Sequence, residues 1–295
     1  MTGAVPGAEF DPEAVRSFEH ARWQAAAPIY GTTFAAATAP FIAPLLDAAG
    51  LAAGVVPDGA PAGVVPHGAP AKRLLDVACG PGFVASAAAL RGAVACGVDF
   101  SSAMLAVARA RDPGVRFDAG DAERLPYADA AFEVVVSNFG IHHVPRPLFA
   151  LREAHRVLGT GGRVAFSFWA APAENVAWRL VFDAVARYGD RSAASAPVPG
   201  GGFATPEQCA DALRSVGFTD CTTLLVRATW RHRDAGGLVA ALRAGTARMA
   251  AMLEAQSSAT LAAITADIEL AAAPYRDGED IALPIAAVIA SGVRR

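Results

Sequence analysis

Lysine is all but missing from this chain. Lys72 stands alone, so nearly all of the 25 basic residues are arginine. Against 28 acids the formal net charge is −3, with an isoelectric point near 6.1. That balance supplies no basic face for a nucleic-acid backbone. The arginines accompany a great abundance of alanine, the mark of a GC-rich coding sequence rather than of an arginine-built binding site. The four cysteines, Cys79, Cys96, Cys209 and Cys221, lack the paired spacing of a zinc site or a disulfide framework and read as small apolar fillers in reduced surroundings. No uninterrupted apolar span reaches the ~18 residues of a membrane helix. The first residues carry acids (Glu9, Asp11, Glu13) where a signal peptide has a basic region. Cytoplasm is the expected location, with no metal, no nucleic acid and no membrane insertion, and with self-association left open.

At 295 residues the chain suits one large α/β domain, near the size at which single cores stop growing. Its most informative stretch is Leu74-Leu-Asp-Val-Ala-Cys-Gly-Pro-Gly82. Leu74, Leu75 and Val77 suit a strand buried on both faces. Gly80 and Gly82 flank Pro81 where the chain must turn into a helix expected over Phe83 to Leu90. Glycines there let backbone approach a ligand, and the helix start offers unpaired N–H groups. Gly80 to Ala85 also reads as a dinucleotide turn with its last glycine replaced. Asp76 discriminates between the two uses. A carboxylate at the strand tip repels a pyrophosphate but suits an ammonium and a sulfonium, which describes S-adenosylmethionine.

Further acids follow the same logic. A second apolar run, Val94 to Val98, ends in Asp99, placed to accept both ribose hydroxyls. Phe100 can lie against adenine, and Ser101 can cap a helix carrying Met104. A third run, Val115 to Phe117, leads to Gly120-Asp121-Ala122, where a carboxylate can accept from the adenine amino group. A fourth, Phe132 to Ser137, delivers Asn138-Phe139-Gly140-Ile141-His142-His143. A helix from Pro147 then runs through Arg156-Val157-Leu158 and Gly161-Gly162 into a fifth strand, Arg163 to Phe168.

In this combination the sequence resembles the class I S-adenosylmethionine-dependent methyltransferases, densely so over residues 70 to 170. The matched positions are Asp76 through Gly82, Asp99, Asp121 and the Arg156 to Gly162 turn. The small-molecule subgroup it resembles, on Asn138-Phe139-Gly140 and the upstream Trp23 and Tyr30, includes the ubiquinone and menaquinone methyltransferases. One departure is Ala78, where that motif commonly has glycine. The resemblance implies a doubly wound, mostly parallel sheet of seven strands, N-terminal lid helices, a last strand inserted antiparallel beside the sixth, and a helical cap over the substrate mouth between those two. The segments are residues 1–71 (lid helices and loop), 72–230 (cofactor-binding core) and 231–295 (cap and final strand of the same domain). The implied cofactor set is Trp23, Tyr30, Asp76, Ala78, Cys79, Gly80, Gly82, Asp99, Phe100, Met104, Asp121, Ala122, Asn138, Phe139 and His143.

For the acceptor, His142 and His143 are the candidate general bases, since an ordinary imidazole is largely neutral at cytosolic pH. His142 is expected to face the substrate, with His143 packed near the cofactor or bonded to backbone. Tyr30, Phe168 and Trp169 are the expected substrate wall, which suggests an apolar or aromatic small molecule methylated on O, N or C. Two other classes compete: an NAD(P)-dependent oxidoreductase using Gly80, Gly82 and Ala85, and a non-catalytic S-adenosylmethionine-binding protein. A sole lysine rules out a Tyr-x-x-x-Lys hydride-transfer pair.

Outside the core, Asp11-Pro12 signals a helix running to about Ala27, and a second spans about Thr33 to Ala49, broken near Pro40 and Pro44. Gly54 to Ala62 is repeated as Gly63 to Ala71 with changes only at Asp58 and His67; two copies dense in proline and glycine read as a loop. Later elements are a helix over Asn175 to Tyr188, a connection Ser192 to Gly202, a helix opening at Thr205-Pro206, a strand to about Val226, two helices over Ala235 to Ala272, and a final strand Ile281 to Ile289.

Overall fold

The computed structural model describes residues 10–51, 71–191, 203 and 205–295. The tandem repeat, save Ala71, and the 192–202 connection lie outside them.

Period-two burial builds the sheet. In β1 (Arg73–Val77) successive buried side chains take opposite faces. Leu74 joins Leu45, Leu46 and Val84 on one side, while Leu75 and Val77 join Leu151, Val157 and Leu213 on the other. α1 (Pro12–Tyr30), α2 (Ala35–Thr38) and α3 (Ile42–Ala48) precede β1. After it come α4 (Phe83–Leu90), β2 (Val94–Asp99), α5 (Ser102–Arg111), β3 (Arg116–Ala119), β4 (Phe132–Asn138), α6 (Pro147–Val157) and β5 (Leu158–Trp169). The remainder comprises α7 (Val176–Tyr188), α8 (Pro206–Ser215), β6 (Phe218–His232), α9 (Ala235–Gly245), α10 (Arg248–Glu254), α11 (Ser258–Ala271), β7 (Arg276–Asp277) and β8 (Asp280–Arg294).

Among the described residues the strand order is β3-β2-β1-β4-β5-β8-β6, with β7 paired to β8 as a short hairpin. The first five are mutually parallel. β8 runs antiparallel between β5 and β6. The doubly wound, mostly parallel architecture is as expected, and the two-residue β7 is the added eighth strand.

Four expectations shift. Residues 235–271 form three helices rather than two, because Thr246 turns extended at the end of α9 and its Oγ1 accepts from Ala250 N, while Ser257 caps α11. β6 and β8 run longer than their apolar cores because their register continues from Phe218↔Arg294 to His232↔Ile281. α1 continues through Pro28 to Tyr30. Pro44 breaks nothing, since it sits in the first turn of α3 where its missing N–H has no partner to lose, and Pro40 opens a single 3-10 turn.

Candidate active site

The strand order reverses between β1 and β4, and open parallel sheets leave a crevice at the carboxyl ends of such strands. A cleft of about 1130 Å³, counted out to its open mouth, lies there.

Its floor is the turn after β1. Ala78, Gly80 and Gly82 all have positive φ, +54°, +51° and +78°, which explains why residue 78 favours glycine and leaves Ala78 strained. Ala78, Cys79 and Gly80 line the cleft. Gly82, expected beside the cofactor, does not; it starts α4, and a Cβ on it would lie 2.5 Å from the Phe117 ring. Its absence of a side chain serves helix-to-strand packing.

Asp76 and Asp99 both reach the cleft from buried positions. Asp76 Oδ2 accepts from Ala85 N at 3.1 Å. Burial, only partly offset by that bond and reinforced by Asp99, pushes its carboxyl up to about 8. Asp99 accepts from Gly80 N at 2.8 Å and from Ser101 N at 2.8 Å. Burial raises it to about 6 despite those donors. Neither acid makes an ion pair with a described residue. Such carboxylates are suited by a ligand that brings its own cation and hydroxyls. The donor set therefore fits the ammonium and ribose of S-adenosylmethionine.

Phe100, Met104, Gly120, Asp121 and Ala122 line the next part of the wall. Asp121 is less available than expected: its Oδ2 accepts from Arg16 Nε at 3.1 Å and its Oδ1 from Glu123 N at 2.9 Å. Arg16 also reaches Glu123 at 2.9 Å, which Arg146 grips at 2.8 Å. This network ties α1 across the adenine end. A second tie is Gln24, whose Oε1 accepts from Ser101 Oγ at 2.6 Å and from Ala103 N at 2.7 Å at the start of α5. Neither Arg16 nor Gln24 was suggested by any local pattern.

The opposite wall is aromatic. Trp23, Tyr30, Phe34, Phe139 and Trp169 line it. Phe139 is held at φ +57°; its N–H donates to Ser167 Oγ at 2.9 Å, which donates to Asn138 Oδ1 at 2.6 Å. The ring stacks on Trp169 with centroids 4.0 Å apart. Tyr30 OH meets Thr38 Oγ1 at 3.2 Å, and burial pushes its phenol up to about 12. Phe168 does not join Trp169 on this wall. Neighbours on a strand point to opposite faces, and Phe168 packs instead on Phe203 at 5.7 Å.

Of the two histidines, His143 lies on the cleft and His142, expected to face the substrate, does not. His142 is not among the cleft-lining residues; its ring lies 4.9 Å from Phe168, and burial, with His143 and Arg248 adding, holds its imidazole well below the usual range. His143 lines the cleft, and its Nδ1 lies 3.0 Å from Glu19 Oε2 rather than against backbone. The doublet occupies a single 3-10 turn, Ile141–His143, in which consecutive side chains point about a third of a turn apart.

Comparison with known proteins agrees with this geometry. The methyltransferase-domain family matches residues 75–166. Demethylmenaquinone methyltransferase of Chlorobaculum parvum is 43% identical over 91 residues, 30% of this chain and 38% of that protein. The enzyme of the same name from Renibacterium salmoninarum is 40% identical over 101 residues, 34% of this chain and 43% of that protein. The chain thus spans about two fifths of the length of these curated relatives. Among solved structures, a putative methyltransferase from Bacillus halodurans superposes with a TM-score of 0.51 at 20% identity, covering 86% of this chain and 98% of that one. The YcgJ protein from Bacillus subtilis gives 0.50 at 17%, covering 76% and 92%. Fold, acid-lined crevice and matched segment agree: over residues 75–166 the chain matches the methyltransferase-domain family, and there it resembles the class I S-adenosylmethionine-dependent methyltransferases, the menaquinone methyltransferases among them.

Proposed function

We propose that the protein transfers the methyl group of S-adenosylmethionine to a small, apolar acceptor with a planar aromatic ring. The observation that carries this reading is the continuity of one cleft from the buried acids Asp76 and Asp99 to the stacked pair Phe139 and Trp169. A flat apolar wall favours offset stacking of a planar ring. Demethylmenaquinone, the acceptor in the relatives' name, belongs to that chemical class. The acceptor itself does not transfer from those relatives. The family match covers residues 75–166, while Trp23, Tyr30, Phe34 and Trp169 all lie outside it.

S-adenosylmethionine, when bound, supplies a methyl group already activated by a sulfonium. Asp99 would hold the ribose hydroxyls, Asp76 the cationic end, and Phe100 with Ala122 the adenine. The protein's part is alignment: holding donor and acceptor in line is worth up to ~7 to 11 kcal/mol in intramolecular reactions. α1 acts as a lid, anchored through Arg16 and Gln24, and its Trp23 and Tyr30 keep water from the acceptor. α9 to α11 form the cap above.

Calorimetric titration with S-adenosylhomocysteine and, separately, NADP tests the reading. Binding of the first and not the second is expected. NADP binding alone restores the oxidoreductase. Transfer of a labelled methyl group to a panel of naphthols, catechols and quinols then separates an enzyme from a non-catalytic binder.

A further inference from the structure

Glu19 is fully buried on α1, where an unpaired carboxylate is strongly disfavoured. Groups from three elements compensate it. Trp23, one turn along α1, donates Nε1–H to its Oε2 at 2.9 Å. His143 Nδ1 lies 3.0 Å from the same oxygen. Arg248, from α10, forms an ion pair with Oε1. Burial alone would raise the Glu19 carboxyl, but His143, Arg248 and Trp23 together hold it below the usual carboxylate range. An ionised carboxylate only accepts, so His143 Nδ1 must carry its proton. Nε2 of the neutral ring is then an acceptor. His143 lines the cleft with the aromatic wall, its ring edge-on to Trp23 at 4.8 Å, and no described residue hydrogen-bonds to Nε2.

The geometry points to Glu19 as the positioning residue that fixes His143 as the Nδ1–H tautomer, so that Nε2 removes the proton of an acceptor hydroxyl. This rests on the methyltransferase reading above and narrows it to acceptors bearing an O–H, a phenol or enol, at the reacting position. The balance closes without a further reactant. The O–H bond breaks and an Nε2–H bond forms; an oxygen electron pair forms the new bond to the methyl carbon; the carbon–sulfur bond breaks and sulfur keeps its pair. The imidazolium left behind faces the Glu19 carboxylate. Arg248 compensates that carboxylate from the far side, so the base is complete only when α10 is docked on α1.

The test is nitrogen NMR of ¹⁵N-histidine-labelled protein saturated with S-adenosylhomocysteine, assigned with His143→Gln. The expected result is a single Nδ1–H tautomer for His143, replaced in Glu19→Met by a mixture of tautomers or by Nε2–H. Methionine keeps the length of the side chain without an oxygen to accept from Nδ1–H, and the melting temperature of that variant shows whether the fold is retained. An Nε2–H tautomer in the parent protein, or an unchanged Nδ1–H tautomer in Glu19→Met, overturns the assignment. Addition of 1-naphthol is expected to shift the Nε2 signal more than naphthalene, which has the same ring system without the hydroxyl; equal responses overturn the hydroxyl acceptor. Failure of S-adenosylhomocysteine to bind the parent protein defeats the underlying methyltransferase reading instead.

Discussion

Gly140 and Ala78 face each other across the two central strands, and their pairing yields a quantitative prediction. Gly140 has ordinary backbone angles, φ −88° and ψ −41°, so it is needed for space rather than for conformational freedom. A Cβ on it would stand 2.6 Å from Ala78 Cβ, 2.7 Å from Ser137 Oγ and 3.3 Å from Val77 O. Carbon atoms pack at ~3.5 to 4.0 Å, so Gly140→Ala lacks about one ångström. Ser137 can turn aside, since its buried Oγ has no hydrogen-bond partner among the described residues. The Ala78 methyl cannot, because it is fixed to the turn that ends β1. Overpacking of this kind costs about 1 to 3 kcal/mol. Ala78→Gly relieves a left-handed residue, about 1 to 2 kcal/mol, against about 0.5 to 1 kcal/mol for the added chain freedom, so alone it is close to neutral. The double variant should recover about 1 to 2 kcal/mol of the Gly140→Ala loss. Urea unfolding of the four proteins measures the coupling. Effects that add to within ~0.5 kcal/mol would refute the contact between these two turns.

Asp99→Ala is expected to weaken S-adenosylhomocysteine binding by about 1 to 3 kcal/mol, roughly 5- to 150-fold by calorimetry, through lost hydrogen bonds to a charged acceptor; unchanged affinity removes Asp99 from the site. The Asp76 carboxyl, raised to about 8 by burial, is protonated in the ligand-free protein at pH 6.5. A bound ammonium favours its ionised form, so binding should expel a proton and tighten as pH rises toward 8, read from titrations in buffers of different ionisation enthalpy. The sign for stability is opposite. Because folding raises this pKa, the ligand-free protein should lose stability as pH climbs from about 4 to about 8, and a Tm rising over that window would contradict the burial of Asp76. Gly82→Ala, strained at φ +78° and driven into Phe117, should cost about 2 to 4 kcal/mol, seen as an earlier urea midpoint; a neutral result would deny that the helix start packs on β3.

The central sheet was legible because its signals are local. Apolar runs bounded by acids and glycines mark strands buried on both faces, and β1, α4, β2 and β4 fall where such runs predict. Asp76 and Asp99 were legible for the same reason, standing next to last in β1 and last in β2. Side-chain direction in turns was not. A residue number does not say which way the Ile141–His143 turn faces, so His142 lies off the cleft and His143 on it, and Gly82 turns out to serve Phe117. Long-range partners leave no local mark at all. Glu19, Arg16 and Gln24 read as ordinary polar positions on an amphipathic helix, and only the docking of α1 against α5 and the loops after β3 and β4 gives them work. The helix count after residue 235 failed at Gly245-Thr246, where a glycine ends α9 inside a run otherwise rich in helix-forming alanine.

The place of β8 has a consequence for biosynthesis. The strand made after all its neighbours sits between two of them, paired to β5 across Arg163↔Val293 to Trp169↔Ala287 and to β6 along its whole length. Until residue 294 leaves the ribosome, β5 and β6 each expose a naked rim of amide and carbonyl groups, the kind of template on which chains stick to one another. The parallel half can assemble as it emerges, but closure awaits an insertion of high sequence separation, a slow step. A nascent chain stalled before residue 280 should therefore be a compact, cofactor-competent crevice with an adhesive flank, and a natural client for chaperones.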